Sequence, residues 1–492
     1  SYTRRAEPDW RRARYTRGIG GINSDGEPEQ YSLAVPQDPN PIDAGRFFSK
    51  LNETVATIAG NLTHVFGQRD SSAVSGEDRT LRLKTGFYAE RKDRDFAARF
   101  FGYKGVGNIS GVRVLPIDRV FSPAVVTGNP TQLTFLEGTT PSDSYDAHNT
   151  LMAAYASLTI PVGARFTGTF GLRGEYNDQE LNGRLLDGTP RTGGANIFSP
   201  LPSVNLTYNI SNNALVRAAY SSTINRPEFR ELAPFSFYDF NLNSNVVGNY
   251  TLRTANIQNV DLRWELYPSS GEMISVGGFY KYFSRPIETY LINTVGGLSY
   301  GFINSESATS YGVEIEARKS LSEMTSSRLL KRLSLSGNAS LIYSRVNLGE
   351  SVLAPDLGGF VSRVPTAGTQ IQSRPLQNQS PYLINLGLYY NDEDRGTQLS
   401  LLYNVVGPRI FAVGNNLPNP TVYEMPRHVI DLVLTKRLAE RLELRAAVQD
   451  ILNQPVELRQ DSNKNNKLDS SDQSVRDFRR GAYSTLGLTF RF

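Results

Sequence analysis

Cysteine is absent from the 492 residues, which removes disulfides, thiolate nucleophiles and thiolate metal sites together. No run approaches the roughly 18 consecutive apolar residues that a membrane helix needs, so a helical membrane protein is excluded. An excess of one charge sign is missing too. The 52 basic and 48 acidic residues leave a formal charge of +4. They are spread along the chain, which gives no electrostatic footprint for nucleic acid. Histidine and methionine are scarce, at 3 and 4. His64, His148 and His428 stand apart, and no nucleophile, base and orienting group converge on any of them in sequence. GIGG (18–21) lacks the following helix that a phosphate or dinucleotide loop requires. The chain reads as a non-enzyme. Its first residues, SYTRRAEPDWRRARY, are charged and show no apolar signal-peptide region.

What is present is aromatic, glycine-rich and alternating. There are 25 Tyr, 24 Phe and 42 Gly, with a mean hydropathy of −0.36. Strict alternation marks strands with a different solvent on each face. In the terminal YSTLGLTFRF, Leu486, Leu488, Phe490 and Phe492 fall on one side and Thr485, Gly487, Thr489 and Arg491 on the other. In RFTGTFGLRGEY, Phe166, Gly168, Phe170, Leu172 and Tyr176 oppose Arg165, Thr167, Thr169, Arg173 and Glu175. LSLSGNASLIYS sets Leu333, Leu335, Ala339, Leu341 and Tyr343 against Ser334, Ser336, Asn338, Ser340 and Ser344. TLRLKTGFYAERK sets Leu81, Leu83, Phe87 and Ala89 against Arg82, Lys84, Glu90 and Lys92. Full charges on the polar face suit a wet lumen, and the apolar face then meets lipid.

The connections sharpen this reading. Short ones fall at Pro161–Gly163, Asn209–Asn213, Tyr267–Gly271, Asn391–Gly396 and Leu438–Arg441. Long ones span roughly 92–150, 177–199, 225–256, 285–307, 346–379, 408–426 and 456–475. Long and short alternate, as in a transmembrane barrel with short periplasmic turns and long outer loops. A soluble sandwich has no reason to keep its long loops at one end. The expected fold is therefore all-β: a transmembrane antiparallel β-barrel of about 16 strands, from near Trp10–Gly18 to Ala482–Phe492. The strands expected to face lipid carry Phe170, Leu172, Leu335, Leu341, Leu486, Leu488 and Phe490. Arg173, Ser336, Asn338 and Arg491 are expected to face the lumen.

Several stretches carry a family resemblance: INRPEFRELAPF (224–235), NVDLRWELYP (259–268), GGFYKYFSRPIE (277–288), RFFSKLNE (46–53), FYAERKDRDFAAR (87–99), YEMPRHVIDLVLTKR (423–437) and VQDILNQP (448–455). Together they resemble the barrel of a TonB-dependent outer-membrane receptor of the Bacteroidota type, over most of the chain and in the family's order. The resemblance implies a 22-stranded barrel around an N-terminal plug, located in the bacterial outer membrane. It implies energised uptake of a scarce solute, which could be an iron chelate, vitamin, glycan or peptide. The implied partners are outer-membrane lipid, the TonB complex acting through a plug, and the insertion machinery acting on the C-terminal strand. No plug-like segment or TonB box is found, so residues 1–492 are read as barrel alone. Counting back from Phe492 makes the strands the seventh to the twenty-second of a longer receptor. The rival reading is a complete 16-stranded, porin-like channel for passive diffusion.

Two loops hold candidate site residues. The loop at 225–256 concentrates Arg226, Phe229, Arg230, Phe235, Phe237, Tyr238 and Phe240. Aromatics with Arg are common anchors of a binding surface, and they also suit packing a loop against a barrel rim. Arg409 and Phe411 have the same status. In DSNKNNKLDSSD (461–472), Asp461, Asn463, Asn465, the carbonyl of Lys467, Asp469 and Asp472 fall at positions 1, 3, 5, 7, 9 and 12 of a calcium loop. Asn466 replaces the usual Gly at position 6, and Asp replaces Glu at position 12. A structural calcium is one reading; a polar surface loop is the other. No other cofactor is expected.

Overall fold

The computed structural model describes residues 1–16, 30–35, 43–67, 80–126, 132–239, 244–292, 299–322, 324–366, 373–414, 420–463, 468 and 471–491. Among these, sixteen strands form one antiparallel wall. They are β1 (Tyr2–Ala13), β2 (Ala44–Phe66), β3 (Leu81–Gly105), β4 (Ser144–Val162), β5 (Phe166–Arg184), β6 (Pro190–Asn209), β7 (Ala214–Asn225) and β8 (Ala255–Leu266). They continue as β9 (Met273–Ser284), β10 (Ser307–Ser320), β11 (Leu333–Asn347), β12 (Tyr382–Asp392), β13 (Thr397–Val406), β14 (Arg427–Ala439), β15 (Leu442–Gln449) and β16 (Tyr483–Phe490). Each is laddered to the next in chain order, from Tyr2↔Thr54 to Leu442↔Phe490. Two short strands, Leu133–Glu137 and Ser373–Arg374, take over as partners of β3 and β11 beyond the ends of β4 and β12. No ladder joins β1 to β16 among the described residues, and the wall is open there.

The outer face carries the apolar half of each alternation. Phe170, Leu172, Leu335, Leu341, Leu486, Leu488 and Phe490 are all exposed, Leu341 by 69% and Leu486 by 74%. Val260, Leu262, Val276, Val313 and Ile315 join them, and the registers Tyr280↔Tyr311, Val313↔Leu341 and Val260↔Tyr280 make one belt. Tyrosines and a tryptophan border it. Trp264 pairs with Val276, and Tyr282 lies six residues further along β9, a rise of about 20 Å at ~3.4 Å per residue. Lipid is the solvent that accepts such a belt. The opposite face is polar: Arg263 bonds Glu316 at 3.0 Å, and Asn338, Asn385 and Asn404 form a chain of side-chain bonds.

The first strands are far longer than a membrane requires. β3 has 25 residues, roughly 80 Å at ~3.3 Å each, where about 9–11 suffice to cross. Its outer face shows where lipid ends: Phe87 and Ala89 give way to Arg91, Asp93 and Asp95 at the same alternate positions. β5 changes likewise, from Phe170, Leu172 and Tyr176 to Asp178 and Glu180. The expected loop at 177–199 is accordingly strand for most of its length, with Asn177↔Ile197 through Arg184↔Pro190 still in register. A change of outer solvent ends the apolar alternation without ending the ladder.

The buried core lies at the long-loop end. Strands Ser236–Asp239, Ser244–Val247, Ser299–Asn304 and Ile287–Ile292 make one small sheet. Arg409–Ala412, Val422–Glu424, Val456–Gln460 and Gln473–Phe478 make a second. They join where Leu291 N–H donates to Val413 O (2.8 Å) and Val413 N–H to Thr289 O (3.0 Å). Beneath the junction Tyr290, Ile303, Val346, Leu348, Val352, Ile410 and Val413 pack together. Loop segments from different parts of the chain meet closely. At Gly359, with φ +80°, an added Cβ would lie 2.3 Å from Pro234 O, and at Gly248 it would lie 2.2 Å from Ala233 O. Only glycine lets these backbones approach so far.

Candidate functional site: the folded loops

The loop after β7 turns on the short helix Phe229–Leu232. Its capping box has Glu228 N–H donating to the Glu231 carboxylate at 2.8 Å. The helix sends Phe229, Leu232 and Ala233 inward, where they pack with Phe235, Tyr145, Leu181 and Leu252. Phe96 stacks on Phe235 at 5.5 Å and on Tyr145 at 5.3 Å, which ties the loop to the upper reaches of β3 and β4. Arg94 lies over the Phe229 ring at 5.2 Å. Arg226 reaches back to the wall and pairs with Glu175 at 2.6 Å.

Arg230 is enclosed by aromatic rings, 3.2 Å from the Phe237 centroid and 4.5 Å from that of Phe235, and donates to Val246 O at 3.3 Å. Burial pushes its guanidinium down to about 9, against smaller opposing fields from Tyr145 and Asp239. The group stays charged at neutral pH, and the ring faces supply the attraction that water would otherwise supply. Tyr238 is buried beneath Arg12, 4.7 Å from its ring. Phe240 lies outside the described residues.

Six of the seven aromatic and arginine candidates at 226–240 are thus described. Phe229, Phe235 and Tyr238 are interior, and Arg226 and Phe237 are partly accessible. Arg409 bonds Glu424 twice, at 2.9 and 2.7 Å, and Phe411 meets Tyr300 edge-on at 6.1 Å.

The strongest polar element of the loops was not singled out in the sequence. Glu288 and Arg374 form a two-pronged ion pair at 2.8 and 2.7 Å, their side chains 1% and 4% exposed. Ser305 Oγ donates to the same carboxylate, and Gln377 N–H donates to it at 3.2 Å. Gln377 extends the node: its side chain accepts from Thr289 N–H and donates to Phe411 O, both at 2.5 Å. Three loops are joined at one point. Burial by itself raises the Glu288 carboxyl, but the Arg374 charge and the Ser305 and Gln377 donors outweigh it and hold the group below the usual carboxylate range. One sequence signal was available, a lone Glu in the otherwise apolar alternation PIETYLI.

Of the calcium-loop positions, Asp461 and Asp472 are buried. Asp472 accepts from Ser462 N–H at 3.1 Å, and Asn463 donates to Ser471 Oγ at 2.8 Å. Asn465, Lys467 and Asp469 lie outside the described residues. Among the described residues no group of three or more His, Asp or Glu is placed to hold a metal ion. His148 is in register with Glu180 on the neighbouring strand, His64 packs on Phe66, and His428 Nδ1 is 2.7 Å from Tyr403 Oη.

Known proteins agree with this architecture. The fold is similar to that of the ferric yersiniabactin uptake receptor FyuA from Yersinia pestis, with 14% identity, TM-score 0.54, and 94% of this chain on 57% of that one. It is similar to the ferric citrate transporter FecA, with 12% identity, TM-score 0.58, and again 94% on 57%. The copper transporter OprC is a third likeness, with 13% identity, TM-score 0.56, and 91% on 58%. The chain spans under two thirds of the length of each of these structures. No curated protein matches it by sequence. The outer membrane protein beta-barrel family matches residues 125–485, most of the wall and all of the loop core, and the chain belongs to that family, in the bacterial outer membrane.

Proposed function

We propose that this chain is the barrel and loop portion of a TonB-dependent receptor that takes up a scarce solute. The loop core is the observation that carries the reading. Loops from four connections build the two sheets, and a fifth supplies Arg374 of the buried ion pair, as a preorganised surface for capture requires. The three likenesses above are themselves an uptake receptor and two transporters, which supports the class and leaves the solute open. The chemistry is binding and release, and the wall supplies strands whose backbone groups are paired along each ladder, as a lipid solvent demands. TonB would act through a plug, and the C-terminal strand β16 would be the handle for insertion.

Uptake in cells tests the reading. A strain lacking the gene should stop accumulating one labelled solute among iron chelates, vitamins, glycans and peptides. Complementation should restore accumulation, and collapsing the proton gradient should abolish it again. Accumulation that survives collapse of the gradient favours the passive channel.

A further inference from the structure

A cleft of about 590 Å³ is lined from three loops, by residues within 249–253, by 285 with 304–306, and by residues within 348–363. None of its residues was singled out in the sequence. Three arginines line it, Arg253, Arg285 and Arg363, together with Asn304, Glu306 and Glu350. Among the described residues none of the three guanidiniums is in an ion pair. Their one side-chain hydrogen bond runs from Arg363 Nη1 to Ser351 Oγ at 2.8 Å. Among the described residues the buried Nε of Arg285 has no hydrogen-bond partner, and its Nη1 and Nη2 are the donors left to the cleft.

The backbone shows that the cleft is built. Arg285 adopts φ 57°, a left-handed conformation that a long side chain takes only when its surroundings impose it. Asn304 imposes it. Its Nδ2 donates to Arg253 O at 3.0 Å and to Arg285 O at 2.9 Å, while its Oδ1 accepts from Arg253 N–H at 2.8 Å. Arg285 N–H donates to Glu306 O at 3.0 Å, and Ser305 N–H to Pro286 O at 3.0 Å. One asparagine thus fixes the main chain of two of the arginines side by side, with the third presented by the Ser351–Pro355 and Val361–Pro365 hairpin.

We infer that this cleft binds an oxyanion, a carboxylate or phosphate on a small, oxygen-rich ligand. Guanidinium presents planar paired donors that match both groups, and its bonds to them are charge-assisted. Three unpaired guanidiniums against two carboxylates leave a net positive cleft. Glu306 and Glu350 are acceptors for hydroxyl or amine donors on the same ligand. The oxyanion has two available sources, a dissolved solute or an anionic headgroup of the surrounding membrane. The binding itself does not depend on the transport reading.

Calorimetric titration of the purified protein with inorganic pyrophosphate tests the inference. The protein should be studied in non-ionic detergent and in nanodiscs of phosphatidylcholine, with and without added phosphatidylglycerol. Saturable binding in detergent is expected, weakened about tenfold or more by Arg285→Gln or Arg363→Gln, the loss of roughly one charge-assisted bond. Arg285→Lys, which keeps the charge, should retain part of it and guards against a folding defect. Competition by phosphatidylglycerol identifies the headgroup as the native source, and its absence identifies a soluble solute. No saturable binding, or equal binding by Arg253→Gln/Arg285→Gln/Arg363→Gln in a protein with native loop protection, overturns the inference.

Discussion

Glu288→Gln removes the negative half of the only ion pair in the described loops with both side chains under 5% exposed. Arg374 would then remain buried, with its charge facing neutral groups. Breaking such a pair from one side costs about 3–5 kcal/mol, because the remaining charge is uncompensated. The node also positions Gln377, which holds Thr289 N–H and Phe411 O, so the loss should fall on the junction between the two loop sheets. The barrel wall has its own ladder and should not share it. Hydrogen exchange can separate the two. Protection in peptides covering 287–292 and 409–413 should fall by roughly two to four decades, at about 1.4 kcal/mol per decade. Amides of β9 to β11 should be unchanged. Arg374→Leu should do the same, since it strands Glu288. The double change to Glu288→Leu and Arg374→Leu should recover much of the loss, as replacement of a buried pair by apolar residues often does. Single variants that leave 287–292 protected within about tenfold would refute the reasoning, as would a double variant losing the sum of both.

Other consequences are simpler to test. Leu341→Arg, on the lipid face, should cost roughly 2–4 kcal/mol in reversible unfolding from a bilayer, with Asn338→Arg on the polar face costing far less; equal costs would argue against lipid on that side. Because Glu288 is held below its ordinary range, its unfolded form binds more protons at acid pH. The stability it confers is therefore complete above the ordinary carboxylate range, near pH 4–5, and is lost as pH falls through that range towards the folded value. Limited proteolysis of the loops between pH 7 and pH 3 should show this loss, and Glu288→Gln should flatten it. For Asp461–Asp472, the calcium reading expects a weak site, on the order of 0.1–1 mM, whose calorimetric signal disappears with Asp461→Ala and Asp472→Ala together; equal heats leave a polar loop.

The wall was legible because one rule governs it. Two solvents impose a period of two, and Leu335, Leu341 and Leu486 obey it regardless of what their neighbours do. The turns at Asn209–Asn213 and Asn391–Gly396 were legible for a related reason, since short polar breaks between alternating runs have few alternatives. The long hairpin of β5 and β6 was not. Asp178 and Glu180 end the apolar alternation, and a ladder that continues in water leaves no hydrophobic signature. The loop core was the least legible part. Glu288 and Arg374 are 86 residues apart, and Asn304 clamps Arg253 and Arg285 only after the fold has brought two loops together. The aromatic density at 226–240 did announce a packed element, but density alone does not separate Phe229, which faces inward, from Phe237 beside it.

The oxyanion cleft and the ion-pair node are adjacent in the chain. Asn304 holds the backbone at Arg253 and Arg285, and the next residue, Ser305, donates to Glu288. Wall strands laddered to a neighbour on both sides have little freedom to respond to a ligand, so any response should appear in the loops. A ligand that binds the closed loop assembly and not the opened one stabilises it by RT ln(1 + [L]/Kd), about 2.7 kcal/mol at a hundred times Kd. Protection of amides at 287–292 and 299–304 should therefore rise roughly a hundredfold when pyrophosphate saturates the cleft. The same addition should leave β14 and β15 as they were. Arg363→Gln should shift this gain to higher pyrophosphate concentration without lowering the protection seen in its absence, because Arg363 touches the cleft and not the node. Binding detected by calorimetry with no gain in protection at 299–304 would mean that the anion sits elsewhere, and the link from Asn304 to Ser305 would then carry nothing.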